Sequence, residues 1–573
     1  MRQIGIWSFI VFLLLLLTVK GQENRNFWYL DEFFGSSNEI YFRFSTKNTS
    51  DLHLVNEFIS IDHKTDGDWI YAYANKSGFA EFLKLNPDFE IQTPPGKLYK
   101  PEMRSNIDIS EVKAWDFYPT YDAYVDIMYQ FEASFPELCD VFSIGKSVEG
   151  RDLLFAKISK NIFNNEPEPR FMYTATIHGD ETTGYILMLH LIDYMLSNYG
   201  SNDLVTHLVD NLEIWINPLA NPDGTYALGN NSVYGATRFN ANGIDLNRNF
   251  PDPDEGPHPH NEDWEPETLE FMALADSLFF TMSANFHGGA EVFNYPWDTW
   301  PRLHADDDWW QMVGRQWADS AQFYSPDGYF NDQNNGITNG YAWYTLAGGR
   351  QDYMNYFNHC REVTVEISNI KLMPENQLEN YWEYNYRSFI HYMEQALYGV
   401  HGFVTDSVTG NPLQASITFM DHDEDNSWTV SGYAQGSFFR MANPGIYDLL
   451  FEAAGHTPKV IEGVEVLENQ SPQLDVQLTE GGAGISTFKF DDIFNLYPNP
   501  FDESVIITYN KNNPVGCLVE IFDPKGQSFQ KKYLHFQTNE RRVEIPISTG
   551  PPGLYIVKIT SGQFEVSKKI IKK

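Results

Sequence analysis

Between residues 118 and 398 the apolar residues keep changing period, and few folds accommodate such alternation. Tyr121, Tyr124, Val125, Met128 and Phe131 recur at spacings of three and four, as on one face of a helix. Residues 171–177, 278–286 and 361–368 read instead as strands, and 183–191 opens another helix. Strands alternating with helices predict an α/β domain over 113–398, a mixed, largely parallel sheet with helices on both faces.

The texture differs on either side. Residues 22–112 hold strand-like alternation at 39–44 and 69–73 and suit a small N-terminal α/β unit. After Gly399, short strands and turn signals at 406–410 and 443–445 predict a small all-β sandwich over 399–478. A glycine-rich linker, 479–494, leads to a second all-β sandwich over 495–573, whose final lysines, Lys568, Lys569, Lys572 and Lys573, read as a solvated tail. At the other end Arg2 precedes an apolar run, 4–19, with five leucines at 13–17. The run is shorter than the ~20 residues a spanning helix needs, so 1–21 is expected to be a signal peptide cut near Gly21, with no transmembrane segment left afterwards.

Charge narrows the partners. With 78 acidic against 39 basic residues the net charge is -39, which excludes nucleic acid as a partner and favours cationic substrates. Three cysteines, Cys139, Cys360 and Cys517, cannot form a disulfide framework, and pairing of Cys139 with Cys360 is left open. The acidic run 421–425 lacks EF-hand spacing and reads as a solvated loop.

Candidate metal ligands come from context rather than spacing. The pattern HxxE occurs at His178/Glu181, His359/Glu362 and His391/Glu394. Only the first follows a predicted strand and precedes a helix across a glycine, at the sheet edge where open α/β folds bind ligands. His391 and Glu394 fall on one polar face of a helix, and His359 in a turn. His287 ends a second predicted strand before Gly288 and Gly289. His178, Glu181 and His287 together form a His₂Glu set, which leaves one zinc position open to water. In REVTVEIS, 361–368, Glu366 lies on the face opposite Val363, Val365 and Ile367, and a carboxylate buried there needs either a salt-bridge partner or a role as general base. The polar stretch 237–251 offers Arg238, Asn247 and Arg248 for an oxyanion and a substrate carboxylate, or else forms a surface loop.

HGDE at 178, NPDG at 221, GIDLNRNFP at 243, ANFHGG at 284, NGITNG at 335 and EVTVEIS at 362 stand in an order that resembles the zinc carboxypeptidase (M14) family, and within it the carboxypeptidase N/E/D branch. The resemblance covers about 114–399 and implies the zinc carboxypeptidase fold, with one Zn2+ on His178, Glu181 and His287. It further implies Glu366 as general base, Arg238 as oxyanion stabiliser, Asn247 and Arg248 as clamp for the substrate's free C-terminal carboxylate, and Tyr344 as the tyrosine that closes over the substrate. Asp298 in NYPWD and Gln351 in GGRQD match the branch's pocket for a C-terminal Lys or Arg; read alone, Asp298 is a loop acid like its neighbours 306–308. Residues 400–478 resemble the transthyretin-like sandwich of the same branch. LYPNPF at 496 and GLYIVKI at 553 resemble the type A sorting domain of the type IX secretion system. That implies export across the outer membrane of a Gram-negative bacterium by the type IX machinery, to a secreted or surface-attached location. The N-terminal unit is then a candidate propeptide. The implied activity is release of a basic residue from peptide or protein C-termini; the alternatives are apolar or cell-wall peptide substrates on the same fold, or a non-catalytic surface binding protein.

Overall fold

The computed structural model describes residues 34–481 and 493–573, apart from interruptions at 36, 49–51, 165, 261, 433–434, 510–514, 524, 526–527, 537–541, 548–549 and 562–563. The expected signal peptide, 1–21, and most of the 479–494 linker lie outside the described residues.

The N-terminal unit is an antiparallel sheet of β1 (Ile40–Ser45), β2 (Ser60–Asp66), β3 (Trp69–Ala74) and β4 (Phe89–Ile91) in the order β2-β3-β1-β4, with helix α1 (Lys76–Lys84) across it. Strand alternation sends Ile40, Phe42 and Phe44 into a core shared with Phe79 and Phe82 of α1. Tyr41 and Tyr73 emerge on the other face, where they pack against Phe239 of the next domain. The unit is therefore buried on both sides, one by its own helix and one by its neighbour.

A short parallel pair, β5 (Met103–Arg104) and β6 (Tyr118–Pro119), leads into an eight-stranded sheet. Its strands are β7 (Cys139–Lys146), β8 (Asp152–Ile158), β9 (Arg170–Ala175), β10 (Glu213–Asn217), β11 (Met282–His287), β12 (Glu291–Tyr295), β13 (Ile337–Asn339) and β14 (Arg361–Ile367), in the order β13-β12-β14-β11-β9-β10-β8-β7. The four central strands β14, β11, β9 and β10 run parallel, and antiparallel pairings flank them. Alternate residues of the same strands enter different cores. Phe171, Tyr173, Ile214 and Ile216 join α2 (Tyr121–Ser134), α3 (Thr183–Asn198), α4 (Asp203–Asn211) and the later helices at Asp307–Phe323 and Leu378–Glu394. Met172 and Trp215 face the other way, onto α5 (Pro266–Leu278) and residues Tyr353 and Met354. Helices thus cover both faces, as the alternating pattern predicts.

The remaining strands form two sandwiches. The first sets a three-stranded sheet (β15 Val400–Asp406, β18 Ser437–Arg440, β21 Val476–Leu478) against a four-stranded one (β16 Ala415–Phe419, β17 Thr429–Ser431, β19 Gly445–Ala453, β20 Lys459–Val466) over Val404, Ile417, Phe419, Leu449 and Phe451. The second pairs β22 (Phe494–Tyr497), β23 (Ser504–Tyr509) and β26 (Arg542–Pro546) with β24 (Val515–Phe522), β25 (Ser528–Phe536), β27 (Gly553–Ser561) and β28 (Phe564–Lys572).

Two expectations change. The terminal lysines are not a solvated tail: β28 is a paired edge strand carrying Lys568, Lys569 and Lys572, a composition that discourages edge-to-edge association. Nor is the acidic run wholly solvated, because the Asp423 side chain is fully buried against Arg440. Arg440 also makes two 2.9 Å bonds to Asp306, which Arg361 reaches at 2.7 Å, so Asp306 is a buried ion-pair centre between the α/β domain and the first sandwich. Cys139 and Cys360 are separate buried thiols, as is Cys517.

Candidate metal centre and substrate pocket

His178 follows β9 after Thr176, whose φ of 64° places it in the left-handed region. The turn beyond needs Gly179, since a Cβ there would lie 2.3 Å from the Gly224 carbonyl carbon. Glu181 then closes the turn, and His287 ends the adjacent parallel strand β11. The structure brings the three predicted ligands together: Glu181 Oε2 is 3.0 Å from His178 Nδ1 and 2.8 Å from His287 Nδ1, and the two Nδ1 atoms are 3.0 Å apart. All three residues are buried.

The outer ring nitrogens fix the tautomers. His178 Nε2 lies 3.1 Å from Asp245 Oδ1, and His287 Nε2 faces Asn285 Oδ1. With their protons held on those acceptors, both Nδ1 lone pairs point inward beside a carboxylate oxygen, in a dry place where such convergence is unfavourable without a cation. Two imidazoles and one carboxylate with an open fourth side suit zinc. Neither His359 nor His391 joins this group; His391 sits on an exposed helix face 2.7 Å from Glu394.

Asp245 is the hub that sequence reasoning passed over, although it stands within GIDLNR. Besides His178 it accepts from Arg238 Nε at 2.9 Å, and the Arg238 Nη1 lies 3.5 Å from Glu181 Oε1. Glu366, on β14, stands directly across the ladder from His287 and is fully buried. Arg248 is buried; its Nη1 donates to the Asn247 carbonyl at 2.9 Å, while Nε and Nη2 have no partner among the described residues. Asn247 Oδ1 accepts from the Arg350 amide at 3.0 Å. The Tyr344 phenol lies within the electrostatic reach of Arg248, Asp298 and Glu366, and burial holds its pKa above the usual range.

Asp298 lies beyond Tyr344, also buried, accepting from Asn294 Nδ2 at 3.2 Å. Its Oδ1 sits where a side chain at position 340 would be, 1.7 Å from an ideal Cβ on Gly340. Burial pushes its carboxyl up to about 7, against the opposing pull of Asn294 and the charge of Arg248. Gln351 Oε1 accepts from the Thr364 amide of β14 at 2.7 Å, while its Nε2 is buried with no partner among the described residues. Asp298 is therefore not a solvent-facing loop acid.

No sequence signal announced how the N-terminal unit meets this site. Ser60 donates to Asp245 Oδ2 at 2.6 Å, and Tyr73 donates to Asp180 Oδ2 at 2.8 Å. Lys371 bridges Glu181 Oε1 at 3.0 Å to Asp62 Oδ1 at 3.4 Å. Glu39 accepts from the Phe239 amide at 3.0 Å; burial and the charge of Asp180 push it up to about 8. Asn56 reaches the Thr345 carbonyl at 3.0 Å, beside Tyr344.

Residues 124–388 match a family model described as zinc carboxypeptidase, and 495–573 match one described as a secretion system C-terminal sorting domain. The chain is 34% identical over 414 residues to carboxypeptidase D of Mus musculus, covering 69% of this chain and 29% of that protein. It is 37% identical over 337 residues to carboxypeptidase M of Mus musculus (56% and 75%) and 34% identical over 381 residues to the carboxypeptidase N catalytic chain of Homo sapiens (60% and 81%). The chain thus spans less than a third of the carboxypeptidase D proteins it matches.

Proposed function

Because the chain belongs to the zinc carboxypeptidase family, we propose that it hydrolyses the last peptide bond of peptides and proteins and releases a C-terminal Lys or Arg. The observation that carries this reading is Arg248, a buried guanidinium with two donor groups unmatched by any acceptor among the described residues. A free C-terminal carboxylate is the planar anion that would satisfy both. Cleavage is then confined to the bond next to that carboxylate.

Zinc held by His178, Glu181 and His287 would supply Lewis acidity and a water of lowered pKa. Glu366 takes a proton from the water as its oxygen bonds to the scissile carbonyl carbon. Arg238, aimed at the centre by Asp245, stabilises the negative charge that gathers on the carbonyl oxygen. The C–N bond then breaks, and Glu366 returns the proton to the leaving amine. Asn247 and Arg248 hold the departing residue's carboxylate throughout, and Tyr344 excludes water from above. Asp298 neutralises the ammonium or guanidinium of that residue.

In this reading the N-terminal unit is a cover that must move or be removed. His178, Glu181, His287, Arg238, Arg248 and Glu366 are all buried, yet each would meet a peptide or the water that attacks it. The sorting-domain match at 495–573 supports export as a cargo of the type IX system, to a secreted or surface-held location on a Gram-negative cell. The test is steady-state cleavage of matched peptides ending in Arg, Lys, Leu and Glu, with an amidated Arg control, before and after limited proteolysis. Turnover of free-acid Arg and Lys alone supports the full reading. Turnover of Leu instead keeps Arg248 and discards Asp298, and inactivity in both states makes the chain a binding protein.

A further inference from the structure

The helix Arg350–Phe357 spends its first turn on three anchors. Arg350 forms a buried two-point pair with Glu362 at 2.8 and 3.2 Å. Gln351 receives the Thr364 amide, so two successive residues are bolted to β14, the strand that carries Glu366. Asp352 turns the other way. Its carboxylate accepts from the Asp298 amide at 3.0 and 3.1 Å and from the Thr299 amide at 2.9 Å.

Asp352 is fully buried, and these amides are the donors recorded for its carboxylate among the described residues. Its placement is expensive. It shares its surroundings with two further buried carboxylates, Asp298 and Asp252, and burial together with their charges holds its carboxyl well above the usual range. A fold seldom brings a third acid beside two others without a local need. The need visible here is the turn after β12, which must present Asp298 at one spot. Leu346 donates to the Asp298 carbonyl at 3.2 Å, Tyr341 donates to the Trp297 carbonyl at 2.8 Å, and Gly340 leaves the space for the carboxylate. Those bonds fix the carbonyl side of the turn, whereas among the described residues Asp352 takes its amide side.

We propose that Asp352 is a positioning residue for substrate specificity: it clamps the Asp298 and Thr299 amides so that the Asp298 carboxylate faces a basic C-terminal side chain at fixed distance from Glu366. The inference rests on the reading of Asp298 as the basic-residue pocket. Asp352 itself touches no substrate. Through Arg350 and Gln351 the same helical turn ties the pocket to the strand of the general base, so specificity and chemistry share one support.

The experiment uses the full chain, opened by the same limited proteolysis in every variant, with matched peptides ending in Arg and in Leu. Asp352→Asn offers one acceptor oxygen in place of two, and KM for the Arg peptide is expected to rise about tenfold, the size of one lost hydrogen bond. The kcat for both peptides and turnover of the Leu peptide should stay within about twofold. In an Asp298→Ala background the same substitution should change nothing further, since the clamp would have no carboxylate to aim. Equal losses for Arg and Leu, or an effect that persists without Asp298, make Asp352 merely structural and overturn the proposal. Asp352→Glu, which keeps the charge but displaces it, carries the same test should the Asn variant not fold. If the native protein prefers Leu, the reading of Asp298 falls and takes this inference with it; if native preference is basic and Asp352→Asn preserves it, only this inference falls.

Discussion

The Ser60 hydroxyl donates to Asp245 across 2.6 Å, and that one carboxylate also holds a metal-site imidazole and the Arg238 guanidinium. The cover therefore grips the site through the groups that aim its parts, not through the ligands' open side. Hydrogen bonds to charged groups contribute about 1.5–3 kcal/mol each. Ser60→Ala combined with Tyr73→Phe should accordingly raise the basal peptidase rate of the uncut chain by about tenfold or more. After proteolytic opening the variant and native rates should coincide. An uncut native chain already as fast as the opened one would show that the N-terminal unit does not obstruct the site.

Arg248→Met leaves the substrate carboxylate facing an apolar side chain. We expect kcat/KM on free-acid peptides to fall by about a hundredfold or more, roughly 3 kcal/mol. The amidated control should be indifferent to the change, since it has no carboxylate to lose. A comparable fall for both peptides would move Arg248 out of the clamp.

The pH dependence of selectivity reports on Asp298. Its carboxyl is pushed up to about 7 by burial, with Arg248, Asp252, Asp352 and Tyr344 as the ionisable groups around it. A cationic side chain binds the ionised form, so affinity for it is present above that value and fades as pH falls through it. The ratio of kcat/KM for Arg over Leu peptides should rise from pH 6 to 8, and Asp298→Asn should flatten it. Taking the ratio cancels titrations common to both substrates.

Chelation should abolish turnover and also lower the thermal midpoint, because a metal that binds only the folded state stabilises it by mass action. Readdition of zinc should restore both. His287→Ala should lose the chelator-sensitive part of the midpoint, a readout independent of activity.

Arg440→Met withdraws one of the two cations from Asp306 and the cation beside Asp423. Breaking a buried pair from one side costs about 3–5 kcal/mol. Denaturant titration should show a loss of that order, and adding Asp306→Asn should recover part of it. A change below about 1 kcal/mol would class the contact with ordinary surface pairs.

What the sequence disclosed, it disclosed through local pattern. His178 and His287 are legible because each follows an apolar strand and precedes glycine, and Glu366 because it sets a carboxylate on the second face of a strand expected to be buried on both. The first helix follows from its three-and-four spacing, and the two helical layers from the alternation of strands with helices. Ser60, Asp62 and Tyr73 gave no sign, since partners more than a hundred residues away leave no periodicity. Asp306 and Asp423 were hidden by composition, for in so acidic a chain an inward-turned carboxylate looks like its exposed neighbours. The strand at the C-terminus was obscured in the opposite sense: Val566 and Ile570 alternate as a strand should, and the lysines between them drew the eye to charge.

The border near residue 398 is plain as a change of texture, but the buried ion network around Asp306 is completed only across it. A gene trimmed there would encode an α/β domain whose Asp306 keeps Arg361 and forfeits Arg440, with a raw polar scar where the sandwich had docked. The smallest inheritable unit of this fold is therefore longer than the α/β domain, and a lineage recombining these modules would keep the network whole only by exchanging the two together.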